Sequence, residues 1–248
     1  MCGICGELRF EGAVDVAQLG AMRDRLIHRG PDAAGMHVSP DRRLGFGFRR
    51  LQIVDLTANA NQPMTNEDES IWLVFNGEIY NFIELRRDLE GRGHRFRSRA
   101  DSEVIIHLYE EKGADCVADL DGMFALAIWD ERQKRLTLAR DRPGKKPLYY
   151  MRLRDRFVFA SEIKAFFAHP ELRLEIDERA LPQFFLHGYV PSPDTFYQGV
   201  RQVPPATVIT LEADGRTAAR AYWRLQNPAR DGEQQGAVTM RLSHESAS

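Results

Sequence analysis

Met1-Cys2-Gly3 opens the chain, and a cysteine that becomes the first residue after methionine removal joins a nucleophile and a base in one residue. Its thiol can attack an acyl carbon while its α-amino group takes the proton. A free thiol is only a few per cent thiolate near neutrality, whereas an α-amine titrates at about 7.7 to 8.0, close enough to working pH to accept a proton and return it. Acyl transfer of this kind needs no catalytic histidine. Taken alone, a cysteine at position two is more often an ordinary residue, and Cys2-Gly3-Ile4-Cys5 is also a C-x-x-C that could be half a zinc site or a redox pair. Zinc needs about four ligands, and Cys116 is the only further cysteine, with no second C-x-x-C and no H-x-x-x-H in the chain. Metal is the weaker reading, and no metal site is expected.

The composition narrows the remaining classes. A length of 248 residues suits one large domain or one domain with an extension. The residues are 43% hydrophobic and 28% charged, and the net charge of -2 gives no electrostatic case for nucleic acid. The basic stretch from Arg86 to Arg99 contains Asp88, Glu90 and the lone aromatic Phe96, and is read as a solvated face. No segment approaches about 18 consecutive apolar residues, and Glu7 interrupts any signal-peptide core, so no membrane partner is expected. Three cysteines do not suggest a disulfide framework, which makes a reducing cytoplasm the expected location. Gly45-x-Gly47 lacks the third glycine and the helix of a dinucleotide site, and there is no P-loop.

The elements that must position any such chemistry alternate in an α+β manner. Val16, Leu19, Met22 and Leu26 recur at helical spacing, and His28-Arg29-Gly30-Pro31-Asp32 ends that helix. Asn81 with Glu84 three positions on predicts a capped helix to about Leu89, and Ser102 opens another that Gly113 closes. A helix capped by Asp177 carries Pro182 about five residues in, which predicts a kink. Apolar runs at Ile71 to Phe75, Phe124 to Trp129, Leu136 to Ala139, Leu148 to Met151 and Phe157 to Ala160 read as strands, the last four as two hairpins. Sheets covered by helices follow.

Six motifs then occur in order. They are Met1-Cys2-Gly3-Ile4, His28-Arg29-Gly30-Pro31-Asp32, Arg50-Leu51-Gln52-Ile53-Val54-Asp55, Asn76-Gly77-Glu78-Ile79-Tyr80-Asn81, Asp101-Ser102-Glu103-Val104 and Arg140-Asp141-x-x-Gly144-x-x-Pro147-Leu148-Tyr149. In order and spacing they resemble the glutamine-hydrolysing domain of bacterial asparagine synthetase B, a class II glutamine amidotransferase with an N-terminal nucleophile. The resemblance covers about residues 2 to 225. It implies an α+β fold, the four-layer αββα sandwich of N-terminal nucleophile hydrolases, and L-glutamine as substrate. It implies that Cys2 attacks the side-chain amide, releasing ammonia and leaving a γ-glutamyl thioester that water hydrolyses. The Asn76 side-chain amide and the Gly77 backbone N–H would hold the oxyanion, Arg50 would clamp the α-carboxylate, and Asp101 and Glu78 would meet the α-ammonium. The backbone of Leu51 and Val54 would line the pocket. Arg29, Asp32, Arg140 and Asp141 are read as its support. Taken singly, Arg50 could be a surface arginine, Asn76-Gly77 a hairpin turn and Asp101 a helix cap.

Family members continue into a synthetase domain whose S-G-G-x-D-S loop holds the pyrophosphate of ATP, and no such sequence occurs here. ATP and magnesium are therefore expected only with that absent domain, and no cofactor is expected in this chain. The expected organisation is an amidotransferase domain over 2–190, an extension toward a synthetase domain over 191–225 and a disordered tail over 226–248. The chain would then be a piece of a longer protein, a truncated gene product or a subunit awaiting a synthetase partner. Phe184, Phe185, Tyr189, Val190, Phe196 and Tyr197 would supply an exposed face for that partner or for a homo-oligomer. Two alternatives stand beside the glutaminase: a non-catalytic or regulatory remnant of the same domain, and the glutaminase half of a related amidotransferase with another acceptor.

Overall fold

A computed structural model of the chain describes residues 1–53 and 57–225. Its apolar runs lack the polar alternation of a half-wet strand because most central strands are buried on both faces. In β6 (Gly122–Asp130), Ala125, Ala127 and Trp129 enter one hydrophobic cluster while Phe124, Leu126 and Ile128 enter another. The same period of two separates Phe157 and Phe159 from Val158 and Ala160 in β9 (Arg156–Ala160).

These clusters define four layers. The first sheet has the order β10-β8-β9-β1-β3-β2, comprising β10 (Val200–Gln202), β8 (Tyr149–Arg152), β9, β1 (Gly3–Arg9), β3 (Leu44–Arg50) and β2 (Ala33–Val38). The second has the order β12-β11-β7-β6-β5-β4, comprising β12 (Thr217–Ala221), β11 (Thr207–Glu212), β7 (Arg135–Arg140), β6, β5 (Ile71–Ile79) and β4 (Met64–Thr65). Every pairing in both sheets is antiparallel. Between the sheets lie Ile4, Leu8, Phe46 and Phe159 from one side and Val74, Trp129 and Leu138 from the other. On the outer face of the first sheet, α1 (Val16–Asp24) packs through Leu19 and Met22. On that of the second, α3 (Glu103–Lys112) packs through Val104, Ile105 and Leu108, and α2 (Phe82–Gly91) through Leu89. The expected αββα sandwich and both expected hairpins, β6–β7 and β8–β9, are present.

Several local expectations are corrected. Asn81 stands at the start of α2 without capping it, because its side chain donates to Asp119 O (2.9 Å) and accepts from Asp121 N (3.0 Å), tying the helix entry to the strand that follows. Ser102 likewise makes no side-chain cap. Pro182 causes no interruption: α4 spans Ala180–His187, so proline falls in the first turn, where its missing N–H has no intrahelical partner to lose. Asn76-Gly77 is no hairpin turn, since it lies inside β5. The stretch 191–225, read as an extension, supplies β10 to the first sheet and β11 and β12 to the second. The tail 226–248 lies outside the described residues, among which no helix is long and apolar enough to cross a membrane.

One buried carboxylate fastens the end of β7 to β6 and to the loop that follows. Asp141 is fully buried and accepts from the backbone N–H of Phe124 (3.0 Å), Lys145 (2.7 Å) and Lys146 (2.9 Å). Removing it strands two buried donors and one partly buried one. Asp141→Ala is therefore expected to destabilise the domain by about 3 to 5 kcal/mol. Chemical denaturation checks this, and a loss under about 1 kcal/mol would contradict the anchoring role.

Candidate active site

β1 runs down the middle of its sheet between β9 and β3, which places Cys2 at the end of the space between the sheets. Its side chain packs against the inter-sheet cluster, and Sγ lies 3.8 Å from the carbonyl oxygen of Leu51. Burial pushes the thiol above its usual pKa, and the hydrogen bond to Leu51, the chain-terminal amine and Arg50 pull it partway back. A thiol so disposed attacks only as a base removes its proton. The chain-terminal amine here is that of Met1, and burial lowers its pKa, with Arg29 and Lys146 adding to the effect.

The backbone here is clamped by the motif that follows α1. Arg29 donates Nε to Cys2 O (2.9 Å) and Nη1 to Glu162 Oε1 (2.8 Å). Burial alone would raise the Glu162 carboxyl, but hydrogen bonds from Arg29, His28 and Lys164 bring it down to about 2. Gly30 is required because a Cβ there would come within 2.4 Å of the Arg49 carbonyl on β3. Asp32 accepts from Gln52 N (2.8 Å) and so holds the start of the loop after β3.

On the second sheet, β4 pairs with β5 only at Trp72 and Leu73, leaving the far half of that edge open. Backbone donors of alternate residues point to it. Phe75 N donates to Gln62 Oε1 (2.6 Å) and Ile79 N to Asp101 Oδ2 (2.8 Å). The N–H of Gly77, midway between them, points the same way, toward the pocket that Gly77 lines with Gln62 and Asp101. A Cβ on Gly77 would lie 2.3 Å from Met123 O on β6, so only glycine fits this register. Asn76 follows the alternation to the inter-sheet face, where its Nδ2 is buried without a protein acceptor among the described residues.

Two groups of charge flank these donors. Arg50, 5% exposed at the end of β3, is held by Thr57 O (2.8 Å) and Asn61 Oδ1 (2.7 Å). Opposite it, burial and the neighbouring Glu78 carboxylate raise the pKa of Asp101. The pocket thus offers a guanidinium at one place and paired carboxylates at another, the arrangement that receives a zwitterion.

Cys2, Arg50, Leu51, Asn76, Gly77, Glu78 and Asp101 all line this one pocket, while Val54 lies outside the described residues. Arg50 is not the surface arginine that it could have been, and Asp101 binds a strand rather than capping a helix. Sequence reasoning missed Gln62 and Lys146. Lys146 also lines the pocket, is 6% exposed, and its Nζ lies 3.4 Å from Met1 Sδ. Burial lowers its pKa, and Arg29 and Lys145 lower it further. Its only sequence signal was the unassigned interval in Gly144-x-x-Pro147.

Residues 1–223 match the family described as a glutamine amidotransferase domain. The chain is 39% identical over 228 residues to asparagine synthetase [glutamine-hydrolyzing] 1 of Bacillus subtilis (strain 168), a match covering 90% of this chain and 35% of that protein. Asparagine synthetase [glutamine-hydrolyzing] 3 of the same strain is 38% identical, with 92% and 37% covered. Amidase chry2 of Gibberella zeae is 35% identical, with 86% and 31% covered. The chain thus spans about a third of the length of these relatives. Among solved structures, glutamine phosphoribosylpyrophosphate amidotransferase from B. subtilis shares the fold with a TM-score of 0.68 at 20% identity, over 91% of this chain and 50% of that one. With the pocket's residues in these positions and the match running from residue 1 to 223, the chain belongs to the glutamine amidotransferase domain family.

Proposed function

We propose that this chain hydrolyses L-glutamine to glutamate and ammonia, with Cys2 as nucleophile once Met1 is removed. The observation that carries the reading is one pocket in which Cys2 faces the donors of Asn76 and Gly77 while Arg50 and Asp101 stand ready for the two charged ends of an amino acid. In this reading the Cys2 amine takes the thiol proton as sulfur attacks the side-chain amide carbon. The oxyanion receives hydrogen bonds from Asn76 Nδ2 and Gly77 N–H. The amine then returns the proton to the departing nitrogen, which leaves as ammonia. Water, deprotonated by the same amine, cleaves the thioester to glutamate. No step draws on a cofactor in this chain.

The ammonia would serve the ATP-dependent conversion of aspartate to asparagine in a synthetase portion, where ATP and magnesium belong. The names and lengths of the Bacillus relatives support this acceptor. The amidase relative favours a second reading, a glutaminase half that serves another acceptor. The face for a synthetase partner, or for a second copy of the chain, would be α4 and its flanks. Phe185, Leu186 and Tyr189 are 82%, 78% and 62% exposed there. Phe196 and Tyr197 are half-buried, Phe196 against Phe184 and Tyr197 against Phe167. Three free cysteines fit a reducing cytoplasm.

Cys2→Ala is expected to abolish ammonia release from glutamine, whereas Cys5→Ala and Cys116→Ala, at fully buried positions outside the pocket, keep it. Labelling by an electrophilic glutamine analogue at Cys5 or Cys116 instead would sink this assignment, and a folded chain with Met1 removed but no glutaminase activity would favour the non-catalytic remnant.

Asn76→Ala is expected to lower kcat by about two to three orders of magnitude, and Arg50→Lys mainly to raise KM. Gly77→Ala combines a displaced donor with a clash on β6 and should lose both activity and stability. Identical kcat and KM profiles for the Asn76 and Arg50 variants would contradict their separate roles.

Given aspartate, ATP and magnesium, the chain alone is expected to release ammonia to solvent and make no asparagine. Asparagine formation, measured by amino-acid analysis, would overturn the need for a synthetase partner.

A further inference from the structure

We infer that His94, His107 and Glu110 form a zinc site in the outer helical layer, away from the glutamine pocket. His94 lies in the turn after α2, and His107 and Glu110 are three residues apart on α3. Their donor atoms lie within 4.8 Å of one another. Both imidazoles turn the same nitrogen toward one carboxylate oxygen: Nδ1 of His107 is 2.9 Å and Nδ1 of His94 is 3.3 Å from Glu110 Oε2. Zinc bonds of about 2.0 to 2.2 Å in tetrahedral geometry put neighbouring donors about 3.3 Å apart. The cluster reaches that spacing with small movements, and the fourth position faces solvent past the partly exposed His94 and Glu110, which leaves it to water.

His94 has the outer partner that a metal-bound histidine uses. An imidazole that gives one nitrogen to a metal commonly turns its other nitrogen to a carboxylate, which fixes the tautomer and the ring orientation. Nε2 of His94 is 3.2 Å from Glu111 Oε1, and Glu111 is held in turn by Arg92 Nη1 at 2.6 Å. Nε2 of His107 is buried without a hydrogen bond among the described residues, and Glu103 Oε1 lies 4.0 Å from it. The second oxygen of Glu110 accepts from Asn66 Nδ2 (2.8 Å), and the edge of Phe96 packs against the His107 ring at 4.6 Å.

A network of hydrogen bonds alone accounts for the His107–Glu110 contact. Two imidazoles converging on one carboxylate oxygen, with Glu103 and Glu111 beside them, make a donor set that a dication completes. Two nitrogen donors with one carboxylate select zinc over calcium or magnesium, which prefer all-oxygen shells. Bound there, zinc would tie α3 to the turn after α2. The N-terminal end of α3 follows Asp101 directly, so the clamp braces the segment that reaches β5.

The test titrates zinc into the full chain against a chromophoric chelator, in a Cys2→Ala background that removes the accessible thiol. One equivalent of zinc is expected, with a rise in thermal midpoint. Glu111→Gln should weaken binding about 10- to 100-fold. His94→Gln and Glu110→Gln, at partly exposed positions and checked for folding by circular dichroism, should weaken it further and abolish the thermal shift. Failure to take up one equivalent overturns the site, as does uptake unchanged by His94→Gln and Glu110→Gln, or equal uptake of magnesium.

Discussion

The open edge of β5 governs the rest of the site. A strand with no neighbour along half of one edge must still satisfy its backbone donors, and unpaired buried N–H groups are rare because each is costly. Here side chains replace the missing strand, with Gln62 taking Phe75 N and Asp101 taking Ile79 N. That substitution fixes where two loops return to the sheet. It also leaves the Gly77 N–H between two satisfied neighbours, directed at the pocket and fixed by nine residues of pairing with β6. A donor held by a sheet needs no reorganisation when charge develops in front of it.

The first sheet answers with a positioned sulfur. Cys2 is held through its carbonyl by Arg29, Arg29 by Glu162, and the neighbouring loop by Asp32, so the constraint runs from α1 through the motif after it into β3. The same arrangement keeps cations beside the chain terminus. Burial, and then Arg29 and Lys146, lower the pKa of the Met1 amine, while burial raises that of the Cys2 thiol. These two shifts describe the Met1 amine and the Cys2 thiol, and both favour the neutral form.

Much of this was legible in the sequence because the motifs carry backbone constraints as well as side chains. Gly30 and Gly77 stand where a Cβ would strike a neighbouring strand, and Asp141 stands where three backbone donors need one acceptor. The doubly buried strands were legible from their unbroken apolar runs. β1 and β3 were not: Gly3, Gly6, Gly45 and Gly47 dilute their apolar pattern, although Gly6, opposite Phe46, lets Phe159 approach and Gly45, opposite Glu7, lets Val14 and Leu19 approach. The cap at Asn81 misled because the same residue type that caps a helix also bridges loops. Gln62 carried no signal and Lys146 only its place inside Gly144-x-x-Pro147, since their roles arise only when distant loops meet.

The charge pattern of the pocket adds a constraint that no single residue expresses. Arg50 is anchored by the Thr57 carbonyl and the Asn61 amide, which hold its guanidinium on the pocket wall. Burial and the neighbouring Glu78 carboxylate raise the cost of ionising Asp101, and a bound ammonium relieves it. A free amino acid fits both features at once, while a peptide-linked glutamine lacks the charged ends that they receive. On the proposed reaction, the same arrangement that binds the substrate also excludes the side-chain amides of other proteins, so that selectivity follows from electrostatics built into β3, β5 and the segment before α3.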